Sequence, residues 1–227
     1  KGSIWEARSL RRYGNLLMAA PHWGMRRGGQ FHRGQHGQGE YVNSFRKDRK
    51  EALASLEAAR TLYFQFLADK QKVATLPDAE QKNLLPETLE CNFDLSGAIL
   101  RRREHAQSWD WWDDFSEQDE EIEDYEPGYG YRGRRVVGST PPSGLRADKD
   151  GKPVFTPTPT AYDPKLPDDQ RARFLLNEIE AKDPTPEKEL KALAIYRRAM
   201  VARARFGPDR VNQWWQQGRR QFGPMGQ

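Results

Sequence analysis

The residue types that usually perform chemistry occur in this chain at spacings that do not complete a site. Gly128, Gly130 and Gly133 match a dinucleotide-binding fingerprint by letters. That fingerprint needs a strand before it and a helix after it, so that a pyrophosphate meets a helix N-terminus. Here an acidic run precedes it and Arg134-Arg135-Val136-Val137-Gly138 follows, so a flexible Gly/Tyr-rich stretch fits better. Asp148, Asp150 and Gly151 open like a calcium loop, but Pro159 stands where the twelfth-position glutamate belongs, and a turn is expected. His22, His32 and His36 cluster, and His32 and His36 lie four apart, which brings imidazoles together only on a helix. Gly34, Gly37 and Gly39 argue against a helix there, so no metal is expected. Cys91 has no basic neighbour in sequence to stabilise a thiolate. The expectation is a chain with no catalytic residue, no cofactor and no small-molecule substrate.

A different chemistry repeats. Trp23, Arg26, Arg27, Phe31, His32 and Arg33 interleave cations and rings in a Gly-rich backbone. Tyr129, Tyr131, Arg132, Arg134 and Arg135 do so again, and Trp214, Trp215, Arg219, Arg220 and Phe222 do so in the tail. Arginine in such segments neutralises phosphate, and the rings stack on unpaired bases. RNA contact through residues 18–43 and 127–140 is therefore expected, with Arg26, Arg27, Phe31, His32, Arg33, Arg132, Arg134, Arg135, Arg219 and Arg220 as the contacting side chains. The competing reading lays the same arms on acidic protein surfaces, with Trp and Tyr as anchors.

The block 109–126 points the other way. It holds ten carboxylates and no Lys or Arg, and such a segment cannot lie on a phosphate backbone. Trp109, Trp111, Trp112 and Phe115 are expected to dock on a protein, with the acids facing its cations. A solvated acidic linker is the plainer alternative.

Composition bounds what must position these residues. The chain has 227 residues, of which Leu, Ile, Val and Phe make 41, or 18%, with 34 Gly and Pro. That is thin for a large core with a thick parallel sheet. No apolar run approaches the length a membrane helix needs, so no membrane-spanning segment is expected. One cysteine excludes an internal disulfide framework. The net charge of +4 conceals separated patches: +8 over residues 1–50, −10 over 109–126 and +6 over 197–227. Arginine supplies 25 of the 37 basic residues, and its planar fork suits phosphate and carboxylate.

The elements read as mainly α, a small helical body with long extended, irregular arms and no large sheet. Residues 1–43 read as a basic Gly/Arg-rich arm, with 18–43 irregular. The acid-poor stretch 1–17 reads either as the stub next to a removed organellar presequence or as an ordinary basic tail. Leu53, Leu56, Ala59, Tyr63, Phe66 and Leu67 recur at helical spacing and predict a long helix near 44–76, stopped by Pro77. A short helix over 78–85 ends before Pro86, and Asp94 or Ser96 caps another through Gln107. Within this plan 44–108 is a helical segment, 109–126 the docking segment and 127–167 an extended connector without a core element. Residues 168–217 form a helical C-terminal region and 218–227 a basic tail. Asp168 or Asp169 opens a helix through Lys182, and Thr185-Pro186-Glu187 starts a second that ends at Phe206-Gly207-Pro208, a helical hairpin over 168–206.

Arms rich in Gly and Pro cannot by themselves offset the entropy of ordering. The pattern is similar to that of lineage-specific proteins of organellar ribosomes. It implies a non-catalytic structural subunit of a large ribonucleoprotein in the mitochondrial matrix, with rRNA and neighbouring proteins as partners. The alternative is a peripheral accessory subunit of a mitochondrial respiratory or ATP synthase complex.

Overall fold

The structure, a computed structural model, describes residues 3–100, 126–127, 157–185 and 188–206; for 126–127 and 201–206 it describes the backbone alone. The described chain is mainly helical with one small sheet.

The first 43 residues differ from the irregular arm expected of them. A helix, α1, spans Ile4–Ala19. Ser3 caps it by accepting the Glu6 N–H at 3.2 Å, a Ser-x-x-Glu start. Ile4, Ala7, Gly14 and Met18 fall on its buried face. Three strands follow: β1, Trp23–Arg27; β2, Gln30–Arg33; and β3, Glu40–Asn43. With a two-residue strand β4, Glu126–Pro127, they form an antiparallel sheet in the order β2-β1-β3-β4. The glycines taken as a sign of irregular chain are turn residues instead. Gly28 and Gly29, both at positive φ (54° and 78°), are the two-residue loop between paired Arg27 and Gln30.

The long helix breaks once. α2 runs Phe45–Ala68 and buries the expected face: Leu53, Leu56, Ala59, Tyr63 and Phe66. It stops at Asp69, whose side chain accepts the Lys72 N–H and opens the five-residue helix α3, Lys70–Ala74. The expected stop at Pro86 and fresh start at Asp94 or Ser96 are both corrected by α4, which continues from Asp78 to Leu100 through Pro86. An interior proline costs a helix about 3 kcal/mol. Burying Leu84, Leu89 and Leu95, all fully covered, returns about 1.5–3 kcal/mol each and wins. Asp94 does not cap: it accepts Arg11 Nε at 2.6 Å, while the Ser96 hydroxyl donates to the Phe93 carbonyl at 2.8 Å.

The C-terminal hairpin is as read. α5 spans Asp168–Lys182 and α6 spans Glu189–Phe206, antiparallel, with Ile179 and Leu176 against Ala194. Asp183 joins them by accepting from Thr185 and from the Lys191 N–H in the first turn of α6. Part of the supposed connector also belongs to the body, since Tyr162 packs on the core and donates to Glu57 at 2.8 Å.

α1 and α4 pack on α2, both antiparallel to it; α5 packs on α4, and α6 on α5. The thin apolar core is supplemented by arginines that bridge helices. Arg49, buried, donates to the Ala98 and Ile99 carbonyls near the end of α4 and to Asp168. Arg60 donates to Asn92 and Glu178, joining α2, α4 and α5 in one triad, and lies 4.4 Å over the Tyr162 ring. Arg171, also buried, reaches Glu57 and Asp168 at 2.7 Å each. Such pairs fix geometry more than they add stability, because desolvation offsets most of the attraction.

Candidate functional site

The meander of β1, β2 and β3 holds the residues that the sequence singles out in its first 43 positions. Residues directly opposite on paired strands share a face. Gly24, Arg26, Phe31, Arg33, Glu40 and Val42 therefore share one, and Trp23, Met25, Arg27, His32 and Tyr41 the other. Two strands can lie so close beside Gly24 because it has no side chain. A Cβ there would meet the His32 carbonyl oxygen and approach the Phe31 ring to 2.7 Å.

The first face is turned to the body of the protein. Arg33 donates to both Asp48 oxygens at 2.6 and 2.8 Å and to the Pro21 carbonyl at 2.7 Å. Asp48, on α2 and almost fully buried, also accepts from Ser44 Oγ at 2.7 Å and His22 Nδ1 at 2.9 Å. Burial alone would raise this carboxyl, but bonds from Arg33, His22 and Ser44 hold it well below the usual carboxylate range. With Nδ1 donating to a carboxylate, the buried His22 Nε2 has no partner among the described residues. Arg26 makes two bonds to Glu40, at 2.6 and 3.0 Å, both side chains remaining near half exposed.

The second face carries rings. Trp23 lies 4.5 Å from His36 and 6.4 Å from Tyr41, the latter pair nearly parallel at 20°. Arg27 closes the group by donating to the His36 carbonyl at 3.3 Å. Tyr41, His36 and Arg27 are exposed, Trp23 and His32 half-buried. This is a small aromatic platform with a cation at its edge, an arrangement that accepts a planar, negatively charged ligand.

Among the expected RNA-contacting residues, the structure brings Arg27 to the platform and sets His32 on the same face of the sheet, opposite Met25. It places Arg26 and Arg33 against the chain's own carboxylates and Phe31 5.3 Å beneath the Arg33 guanidinium. In the sequence His36 stands out only as a candidate metal ligand and Trp23 only as part of a composition, and Tyr41 is missed. Arg-Gly-Gly-Gln at 27–30, read as a two-residue hairpin, carries the signal that sets them in register. Arg132, Arg134, Arg135, Arg219, Arg220, Trp109, Trp111, Trp112 and Phe115 lie outside the described residues, as do the glycines at 128–133 and the aspartates at 148 and 150.

Two other places hold chemistry-bearing groups. A groove of about 390 Å³ between α1 and α4 is lined by Arg8, Arg11, Asn15, Leu16, Tyr63 and Glu87. Two of its three cations already serve the fold: Arg8 forks onto Glu87 and reaches Glu80, and Arg11 bridges Asp94 and Glu90, while Arg12 also lines the groove. Cys91 is fully buried, and burial pushes its thiol up to about 12, so it is no thiolate nucleophile. Among the described residues no group of three His, Cys, Asp or Glu is placed to hold a metal, and no helix is long and apolar enough to cross a membrane. No protein family, curated protein or solved structure matches the chain.

Proposed function

We propose that this is a nucleic-acid-contacting structural protein, which meets single-stranded RNA on the aromatic face of its meander. The Trp23–His36–Tyr41 group, edged by Arg27, carries the reading. The rings stack on bases of any identity, while Arg27 offers its guanidinium to a phosphate. Arg26 and Arg33 hold the face in place through Glu40 and Asp48. The particular protein is a non-catalytic subunit of a large ribonucleoprotein, the mitochondrial ribosome, with rRNA and neighbouring ribosomal proteins as its partners in the matrix. Its basic segments at 127–140 and in the tail extend the same contact. The internal pairing of Arg26 and Arg33, which leaves fewer cations for phosphate, favours a second reading: a peripheral accessory subunit of a respiratory or ATP synthase complex.

Fluorescence anisotropy of a labelled single-stranded RNA with the full chain tests this. Base–aromatic stacking is worth about 1–3 kcal/mol, so Trp23→Ala should weaken binding roughly 5- to 160-fold. Arg27→Ala should lower the slope of log affinity against log salt by about 0.7, the value for one phosphate contact on a single strand. Binding that neither substitution changes removes the meander as the interface. Sedimentation of the native protein without rRNA supports the second reading.

A further inference from the structure

Helix α6 is apolar on two sides. Leu190 and Ala194 face α4 and α5, and Arg197 joins them by donating to Ser96 and lying over the Phe93 ring. On the other side Ala192, Leu193, Ile195, Tyr196, Ala199 and Met200 are exposed. The larger four keep 43%, 41%, 65% and 44% of their surface in water. At 100° per residue these six positions form an uncharged stripe roughly 160° wide. A helix at the edge of a folded body ordinarily shows water a charged face. One that presents Leu, Ile, Tyr and Met together offers a docking surface.

We propose that this stripe is covered by the chain's own acidic block, with Trp109, Trp111, Trp112 and Phe115 lying on Tyr196, Leu193 and Met200. The sequence around the stripe is basic: Lys188, Lys191, Arg197, Arg198, Arg203 and Arg205 against the single acid Glu189 over residues 188–206, although Arg198 already pairs with Glu180 at 2.7 Å and Arg197 is turned onto Ser96 and Phe93. A second copy would set this cationic helix against itself. The tail carries Trp214 and Trp215, but residues 197–227 have a net charge of +6, so it meets the same repulsion. The block 109–126, at −10 with three tryptophans, complements the stripe in both charge and apolar character. Phe115, the last of its four docking residues, lies eleven residues before Glu126, which β4 holds opposite Asn43.

The point of departure fits. The described chain reaches Leu100 in α4, less than one turn beyond Gly97, where an added Cβ would lie 3.1 Å from the Arg197 guanidinium. Nine further residues reach Trp109 and span up to ~30 Å, ample to round a helix about 10 Å across. A tether this short holds the block near the stripe at an effective concentration in the mM range, so even weak docking is populated. The inference stands apart from the RNA reading, since it uses neither the meander nor any phosphate contact.

Crosslinking the full chain carrying Ser116→Cys and Ala199→Cys with a short bismaleimide tests it. Cys91 does not interfere, because it is buried with its thiol pushed up to about 12. Most of the product should be crosslinked within one chain at low micromolar concentration. Replacing Trp109, Trp111 and Trp112 together by Ala, or Tyr196 alone, should reduce that yield at least five-fold. Tyr196 is exposed, and unchanged helical circular dichroism verifies that each substituted chain keeps its helices. Crosslinks formed only between chains would assign the stripe to a second copy. A yield lost on Trp214→Ala and Trp215→Ala, with the Trp109 group without effect, would assign it to the tail. Either result, or a yield no higher than in urea for the same chain carrying Cys91→Ala in addition, overturns the proposal.

Discussion

Replacing Asp48 by Ala should uncouple the meander from the helices. The carboxylate, almost fully buried, accepts four hydrogen bonds: two from Arg33, one from Ser44 and one from His22. Their costs on removal differ. Arg33 keeps a third of its side chain in water and can be hydrated there. Ser44 Oγ has a second acceptor in the His22 carbonyl at 3.3 Å. His22 Nδ1 has no such alternative and is left buried, at about 1–3 kcal/mol. Breaking a buried charged network by deleting one partner costs about 3–5 kcal/mol, and with two of the three donors partly relieved the expected loss is about 3 kcal/mol. Urea unfolding followed by circular dichroism reads it. With a slope of about 2 kcal/mol per M the midpoint should fall by roughly 1.5 M. The pH dependence supplies an independent check. Because the folded carboxyl lies below its unfolded value of about 3.9, its contribution is complete at neutral pH. It is lost as pH falls from about 5 through the folded value. The gap between wild type and Asp48→Ala should therefore shrink steadily towards pH 2. A gap below ~1 kcal/mol at pH 7, or one that persists unchanged in acid, refutes the reasoning.

Three further outcomes are expected. Gly14→Ala should destabilise, since its Cβ would meet the buried Leu56 Cγ at 2.7 Å and the Ala52 carbonyl at 3.1 Å. Overpacking of up to ~3 kcal/mol, less about 1 kcal/mol of recovered helix propensity, leaves about 2 kcal/mol in a urea titration. Cys91 should resist maleimide in the native state and react fully once urea passes the unfolding midpoint, as mass spectrometry would record. Gly24→Ala should abolish the meander pairing and with it RNA affinity, while far-ultraviolet circular dichroism keeps its helical signal.

The helices that bury a regular stripe were legible. Leu53, Leu56, Ala59, Tyr63 and Phe66 mark α2, and Phe174, Leu175 and Ile179 mark α5, because the apolar period is regular there, although neither helix has a side-chain cap. Pro86 misled because a local cost was outweighed by burial that only the tertiary fold reveals. The first 43 residues misled for a different reason. Six glycines between 24 and 39 suggest looseness by composition, but Gly28-Gly29 supplies a turn and Gly24 a close approach, both matters of position. Ser3-x-x-Glu6 was a readable start signal for α1. The partners of Arg26 and Arg33, Glu40 and Asp48, lie 14 and 15 residues away, and no periodicity in the sequence ties a cation to such an acid.

The triad of Arg60, Asn92 and Glu178 also has a history in time. Arg60 and Glu178 are 118 residues apart in the chain. At synthesis rates of about 5–20 residues per second, the guanidinium emerges roughly 6–24 seconds before its carboxylate exists. During that interval α2 and α4 can pair without the acids of α5: Arg60 holds Asn92 and Arg49 holds the Ala98 and Ile99 carbonyls while it waits for Asp168. The growing chain thus carries a half-built polar seam that excludes tight apolar closure by the wrong segment until α5 arrives. A fragment ending at Leu100 should accordingly be helical yet far more protease-sensitive along α2 than the full chain.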